Sequence, residues 1–145
     1  MYHNDEYYEG YWQDGLRHGR GILVNKDGEY YCGEWKQNLP HGYGTYQYIN
    51  PTALYKGMWD SGLKHGAGEE INPDGSKYIG FFVKGEKNGQ GKLFYSHDAI
   101  YEGEFLNNKP EGTGVYQSKG QVYEGSWKNG KMHGVGNCEW YDAEM

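Results

Sequence analysis

Tyrosine, glycine and tryptophan recur along this chain at a step of about 23 residues. Each copy opens with a tyrosine, has glycine two residues later and places a second aromatic residue two positions further on. Six copies are present, separated by 23, 24, 23, 23 and 22 residues, and they begin at Tyr8, Tyr31, Tyr55, Tyr78, Tyr101 and Tyr123. A fixed period in this range marks a repeat architecture, in which each copy is one structural unit.

The first half of each copy has the spacing of a β-strand. In the third copy Tyr55, Gly57 and Trp59 stand at i, i+2 and i+4, which places all three on one face of a strand. A helix would scatter the same triplet around its axis. The triplet occurs in every copy, with Phe82 and Phe105 replacing tryptophan in two of them. The pattern therefore predicts one strand here in each copy.

Seven residues after the opening tyrosine, only glycine and asparagine occur. The six turn positions are Gly15, Asn38, Gly62, Gly85, Asn108 and Gly130. These two residue types accept positive φ most readily, so the chain is predicted to reverse there. The following G-x-G segment then returns as a second strand, and each copy forms a β-hairpin. Because the strand glycines lack side chains, we expect neighbouring aromatic rings to cover them.

Turn-forming residues also separate one copy from the next. Asp27-Gly28, Asp74-Gly75 and Lys119-Gly120 stand between copies, and Asn50-Pro51 and Asp98-Ala99 occupy the same place in the irregular ones. The chain is thus divided into a lead-in and six copies, with the bounds 1–7, 8–30, 31–54, 55–77, 78–100, 101–122 and 123–145.

The complete pattern, Y-x-G-x-W-x-x-G-x-x-x-G-x-G, resembles the MORN repeat (membrane occupation and recognition nexus), and the resemblance covers residues 8–145. The departures are Phe82, Phe105, Asn38, Asn108, Pro40 and Pro110. The resemblance implies an all-β fold, in which consecutive hairpins form one elongated, single-layer, twisted antiparallel sheet. It also implies that aromatic side chains line a groove.

Composition and charge narrow the class of partner. Only 36% of residues are hydrophobic, and 16 tyrosines and 5 tryptophans supply much of the apolar surface. The formal net charge is −6, and single copies range from −2 to +1. No copy is strongly basic, so the electrostatic footprint of a nucleic-acid-binding protein is missing from the sequence. No run of four to eight Lys or Arg occurs, so membrane lipid is not expected as a partner.

The short polar lead-in does not resemble a signal peptide, and no apolar run approaches a membrane span. We therefore predict a cytoplasmic protein. Cys32 and Cys138 lie about four copies apart, or about 40 Å at the usual strand spacing. A disulfide needs Cα atoms within about 7 Å, so none is expected between them.

Candidate catalytic and metal-binding residues do not assemble into a site. Four histidines, His18, His41, His65 and His133, share one repeat position, but successive copies lie about 10 Å apart, too far to share one metal ion. The G-x-G segments lack the flanking residues of a phosphate-binding loop. Carboxylate pairs such as Glu69-Glu70 would not be desolvated in an open sheet. We predict no enzyme activity, no cofactor and no metal.

The aromatic stripe is the predicted partner-binding groove. It stabilises the sheet, and a single layer is expected to leave part of its surface exposed for a partner. Its members are Tyr8, Trp12, Tyr31, Trp35, Tyr55, Trp59, Tyr78, Phe82, Tyr101, Phe105, Tyr123 and Trp127. Minimal caps at both ends also predict pairing, including a homodimer through an end or edge.

These features predict a non-catalytic scaffold for protein–protein interaction in a larger assembly. The stretches 41–50, 76–91 and 101–116 are similar to MORN proteins of the ciliary radial spoke head, which implies a cytoskeletal role in the axoneme of a cilium or flagellum. The alternative is a peripheral, phosphoinositide-associated linker that tethers a membrane compartment or the cortical cytoskeleton.

Overall fold

A computed structural model describes residues 2–3 and 5–140 of the chain. No residue in those ranges is helical, and so they contain no helix long and apolar enough to cross a membrane. The strands are β1 (Tyr2–His3), β2 (Glu6–Gln13), β3 (Leu16–Val24), β4 (Tyr30–Lys36), β5 (Leu39–Gln47), β6 (Leu54–Asp60), β7 (Leu63–Ile71), β8 (Lys77–Val83), β9 (Glu86–Phe94), β10 (Ile100–Leu106), β11 (Lys109–Ser118), β12 (Gln121–Lys128) and β13 (Lys131–Trp140).

All strands form one antiparallel sheet whose spatial order is the order of the sequence. Each copy supplies two consecutive strands joined by a hairpin turn, from β2–β3 for the first copy to β12–β13 for the sixth. The predicted all-β array of consecutive hairpins is therefore confirmed. The lead-in contributes the two-residue strand β1, which was not predicted and which pairs with the start of β2. The acidic end at 141–145 lies outside the described residues.

The predicted turn positions all have positive φ, from 75° at Asn38 and Asn108 to 89° at Gly85. The residue before each of them also has positive φ, for example 51° at Asp14 and 48° at Ser61. Two successive residues with positive φ define the type I′ turn that suits a two-residue hairpin. We refer to the row of these six turns, at residues 14–15, 37–38, 61–62, 84–85, 107–108 and 129–130, as the turn edge.

Every hairpin contains a bulge just before its turn. In the first copy Gly10 pairs with Gly21 and Trp12 pairs with Arg17, so that one residue of β2 faces three residues of β3. The same register shift occurs in the other five hairpins. The first glycine of each G-x-G lies in the bulge with positive φ, for example 95° at Gly66. This explains why glycine recurs there.

The second glycine of each G-x-G has a different role. A Cβ at Gly91 would lie 2.5 Å from the Tyr78 hydroxyl oxygen, because the ring of Tyr78 covers this glycine. The equivalent tyrosine covers the equivalent glycine in all six copies, which confirms that aromatic rings pack over the strand glycines. We call the sheet face that carries these rings the core face, and the other the opposite face.

Candidate functional site

Eleven of the twelve residues of the predicted stripe are buried in one continuous aromatic cluster. Trp12, in the first copy, is 44% exposed. The opening tyrosines of copies 1–5 contact the aromatic residue of their own copy and that of the next copy edge-to-face, as in Tyr31–Trp35 at 4.9 Å and Tyr31–Trp59 at 5.3 Å between ring centroids. Tyr123, in the last copy, contacts Trp127 of its own copy in the same way. The stripe is therefore the core of the sheet, and its buried side chains offer a partner little direct contact surface.

The tyrosine hydroxyls are satisfied inside the array. Each opening tyrosine donates to the carbonyl oxygen three residues later, which lies in the bulge, at distances from 2.7 Å (Tyr55 to Met58) to 3.1 Å (Tyr123 to Ser126). Burial raises the pKa of Tyr78 to about 12. The Tyr78 hydroxyl thus stays neutral near pH 7. The six hydroxyl hydrogen bonds stabilise the bulges.

Three tryptophans link adjacent copies through their indole N–H groups. Trp35 Nε1 donates to the carbonyl oxygen of Gly21 at 3.0 Å, and Trp59 Nε1 donates to that of Gly44 at 3.1 Å. Trp127 makes the same bond to Gly114 at 3.1 Å. Each acceptor belongs to the preceding copy, so these bonds fix the docking of one hairpin on the next.

A groove of about 450 Å³ runs beside the core along the first three copies. The rings of Tyr31, Trp35 and Trp59 contribute to its lining, and so do the first residues of β5 and β7, Leu39 and Leu63. These two leucines are 45% and 49% exposed. The groove therefore combines a rigid aromatic base with accessible aliphatic side chains at the turn edge.

The charged side chains that line this groove, Arg17 and Lys64, are both cationic. The Arg17 guanidinium lies over the Trp35 ring, with its central carbon 4.8 Å from the ring centroid. Lys64 Nζ contacts a carboxylate oxygen of Glu70 at 2.5 Å, and Lys87 Nζ contacts the other oxygen at 3.3 Å. Burial alone would lower the pKa of Lys64, but the hydrogen bond and charge of Glu70 outweigh it and raise that pKa.

Two of the four repeated histidines, and both turn asparagines, have structural hydrogen bonds. His41 Nδ1 accepts from the backbone N–H of Ser61 at 3.3 Å, and His65 Nδ1 accepts from that of Lys84 at 3.3 Å. Asn38 Oδ1 accepts from the backbone N–H of Arg17 at 2.9 Å. Asn108 makes the same bond to Lys87 at 2.9 Å. These bonds tie each hairpin turn to its neighbour.

Other sequence candidates are also placed by the structure. Glu69 and Glu70 are successive residues of β7 and lie on opposite faces, so they do not form a carboxylate pair. Within residues 5–140, no three His, Cys, Asp or Glu side chains come together as metal ligands. Cys32 and Cys138 are free and exposed, on β4 and β13.

Sequence reasoning missed an apolar patch on the opposite face. Tyr43, Met58, Ile79, Phe81 and Val83 are each between 40% and 53% exposed. Tyr43 pairs with Met58 across β5 and β6, so part of the patch is continuous. For Met58 and Phe81 the available signal was their position between the glycine and the second aromatic residue of the copy, because a residue there alternates onto the face away from the core.

Comparison with known families identifies the repeat. A family model described as MORN repeat matches residues 8–30, 31–50, 55–77, 78–97, 101–121 and 123–143. The match covers most of the chain and all six copies, but it does not separate radial spoke head proteins from other proteins with this repeat. A search of curated proteins found no significant match.

Proposed function

The chain belongs to the MORN-repeat family, and from that premise we propose that it is a non-catalytic scaffold that holds a protein partner in the groove of its first three copies. MORN repeats commonly mediate protein or membrane interactions, and proteins built from them are generally repeat scaffolds without catalytic activity. The groove is the surface to which our proposal assigns this general role.

The observation that carries the proposal is the pair of exposed leucines beside a rigid aromatic base. Leu39 and Leu63 are nearly half exposed, on a chain of low mean hydropathy. Protein–protein interfaces typically have an apolar centre that is surrounded by a polar rim. Trp35 and Trp59 line the same groove, and the sheet buries both rings.

We further propose that the partner belongs to a cytoskeletal assembly in the cytoplasm, the axoneme of a cilium or flagellum, with the radial spoke head as the first candidate. The support for this finer assignment is the similarity of stretches 41–50, 76–91 and 101–116 to MORN proteins of that structure. A phosphoinositide-associated linker between a membrane and the cytoskeleton is the competing function, because MORN repeats also mediate membrane interactions.

The test uses a double variant, Leu39→Ser with Leu63→Ser, as bait in extracts of ciliated cells. Its matched control is Tyr43→Ser with Phe81→Ser, which removes two exposed apolar side chains from the opposite face. We expect the amount of each protein retained by the leucine variant to fall by about tenfold or more relative to the wild type. The control should retain the same amount as the wild type. Thermal stability should stay close to wild type in both.

Two further measurements separate the competing functions. An axonemal scaffold should co-fractionate with axonemes after membrane extraction, and its retained proteins should be axonemal. A membrane linker should instead sediment with phosphoinositide vesicles in a salt-dependent manner. Retention that survives the leucine substitutions would reject the groove as the binding surface.

A further inference from the structure

Three lysines from two different copies surround one cavity at the far end of the turn edge. Lys109 opens β11, and Lys128 and Lys131 flank the last hairpin turn. Together with Asn129, Met132 and His133 they line a cavity of about 680 Å³. All three lysines are exposed, and no carboxylate of the described residues lies within ion-pair distance of them.

The arrangement is unfavourable for the isolated fold. Lys128 and Lys131 are direct cross-strand partners, and like charges in that position destabilise a sheet. The corresponding pairs of the other five copies contain at most one charged residue, as in Lys36–Leu39 and Leu106–Lys109. The sixth copy therefore carries a local repulsion that a bound anion would relieve.

The neighbouring copy holds the third lysine close to this pair. The backbone N–H of Gly130 donates to the carbonyl oxygen of Pro110 at 2.9 Å, so the last turn packs on the start of β11. A carboxylate oxygen of Glu111 is nearby, but it accepts from the backbone N–H of Asn129 at 2.8 Å. The cavity keeps a net positive charge on a chain whose overall charge is −6.

We propose that this lysine cluster (Lys109, Lys128 and Lys131) binds an acidic segment of a protein partner. Carboxylates on a narrow, flexible chain reach the three ammonium groups without approaching the rest of the molecule. A flat anionic membrane would also face the surrounding negative charge of the protein, which opposes its approach over distances of about 10 Å. Charge complementarity and shape therefore both favour a peptide over a lipid surface.

The cluster is distinct from the leucine groove. Leu63 and Lys109 begin strands four positions apart in the sheet, which corresponds to about 19 Å at the usual strand spacing. A partner could contact both surfaces, but neither requires the other. The proposal therefore goes beyond the scaffold function, and the two can fail independently.

The test measures binding of a fluorescein-labelled hexaglutamate peptide to the full chain. The test variant combines Lys109→Gln, Lys128→Gln and Lys131→Gln. Its control combines Lys26→Gln, Lys56→Gln and Lys119→Gln, three exposed lysines without ion pairs among the described residues. Both triple variants lose the same net charge, so long-range attraction is matched between them.

We expect the test variant to bind hexaglutamate at least about fivefold more weakly than the wild type, and the control to stay within about twofold. Hexaglutamate should also raise the Tm of the wild type and the control, but not of the test variant. Equal weakening in the two triple variants, or no weakening in either, would overturn the proposal. The proposal would also be overturned if vesicles of phosphatidylcholine and phosphatidylserine bound to the cluster more tightly than hexaglutamate does.

Discussion

Copies 1–3 and copies 4–6 share one aromatic core but have different turn edges. The first residue of the returning strand is leucine in the first three copies, at Leu16, Leu39 and Leu63, and it is charged in the last three, at Glu86, Lys109 and Lys131. The side chains of these residues do not belong to the buried cluster, so they vary without changing the fold. The core specifies the array, and the turn edge is where the two halves differ.

The contacts between successive hairpins, which we call joints, show the same division between constant and variable features. At all five joints the backbone N–H of the second turn residue donates to a carbonyl of the preceding hairpin, at 2.8–3.0 Å. Each joint also has a bond from a backbone N–H to a side-chain acceptor, and these acceptors belong to Asn38, His41, His65, Asn108 and Glu111. Different residues therefore perform one task, and this task accounts for His41 and His65 without a metal-binding geometry.

The largest effect on stability is expected from two glycine substitutions, which test whether the core is equivalent in the two halves. Gly57 in copy 3 and Gly103 in copy 5 each face a glycine Cα of the paired strand, and a Cβ on either would lie 2.5 Å from that atom and 2.8 Å from a tyrosine hydroxyl. Gly57→Ala and Gly103→Ala should each lower the free energy of unfolding by about 2–3 kcal/mol, because the overlap is with backbone. Urea denaturation measures both.

Gly75→Ala serves as the control, since its added Cβ would meet no atom within 4 Å and only its φ of 89° opposes the change. That variant should cost about 1–2 kcal/mol. A difference of more than about 1 kcal/mol between the Gly57 and Gly103 variants, well beyond the spread expected of equivalent sites, would show that the two halves do not share one core.

Sequence periodicity was sufficient to predict the hairpins, the turn positions and the contacts between rings and glycines, because each depends on residues within one copy. Burial of the stripe depends on the next copy. Trp35, for example, is covered by packing against Tyr8 and Arg17 of the preceding hairpin. The stripe was predicted as a groove because a single-layer sheet was expected to cover its rings only in part. That expectation did not include the cover that each ring receives from the adjacent hairpin.

Surfaces that combine residues from different copies also could not be predicted from the sequence. The lysine cluster joins Lys109 with Lys128 and Lys131, and charge counted copy by copy does not reveal it. The groove at Leu39 and Leu63 likewise depends on the twist and bulge of two hairpins. Both features follow from the register of the sheet, which the repeat pattern specifies only within a hairpin.

The second prediction exchanges the core aromatic residues of the two halves. Trp59→Phe removes the indole N–H that bonds the Gly44 carbonyl and should cost about 1–2 kcal/mol of stability. Phe82→Trp places an indole at the equivalent position of copy 4 and should cost less than about 1 kcal/mol, because a new bond to the preceding copy offsets the added volume. Thermal unfolding compares them.

A loss in the Trp59→Phe variant below about 0.5 kcal/mol would show that the indole bond contributes little to joining copies. Since this variant alters stability, partner binding is better tested through Leu39 and Leu63, whose side chains are exposed.

The third prediction concerns the two kinds of turn residue. Asn38→Gly keeps a residue that tolerates positive φ but removes the acceptor for the Arg17 backbone N–H, and should cost about 1 kcal/mol. Gly62→Asn introduces the same side chain next to Pro40, which has no N–H to donate, and should give no stabilisation. Denaturant midpoints distinguish these outcomes. An Asn38→Gly variant as stable as the wild type would show that the asparagine side chain does not stabilise the joint.

The smallest expected effect lies at the boundary between the halves, where Glu70 joins Lys64 of copy 3 to Lys87 of copy 4. Burial alone would raise the pKa of Glu70, but the hydrogen bonds and charges of the two lysines outweigh it and hold that pKa below its ordinary value. The folded state therefore binds a proton at Glu70 less readily than the unfolded state does. The resulting stability is present above the ordinary glutamate pKa of about 4.5 and is lost as the pH falls through the lower folded value.

Glu70→Gln should thus be about 0.5–1 kcal/mol less stable than the wild type near neutral pH, and the difference should shrink on acidification below about pH 4.5. Urea denaturation of both proteins across this range measures the difference directly. Glu69→Gln is the matched control, because Glu69 lies on the opposite face and meets Lys77 at 3.6 Å with both side chains about one-third exposed. A difference between wild type and Glu70→Gln that stays constant with pH would assign its origin to packing and not to the charge of the carboxylate.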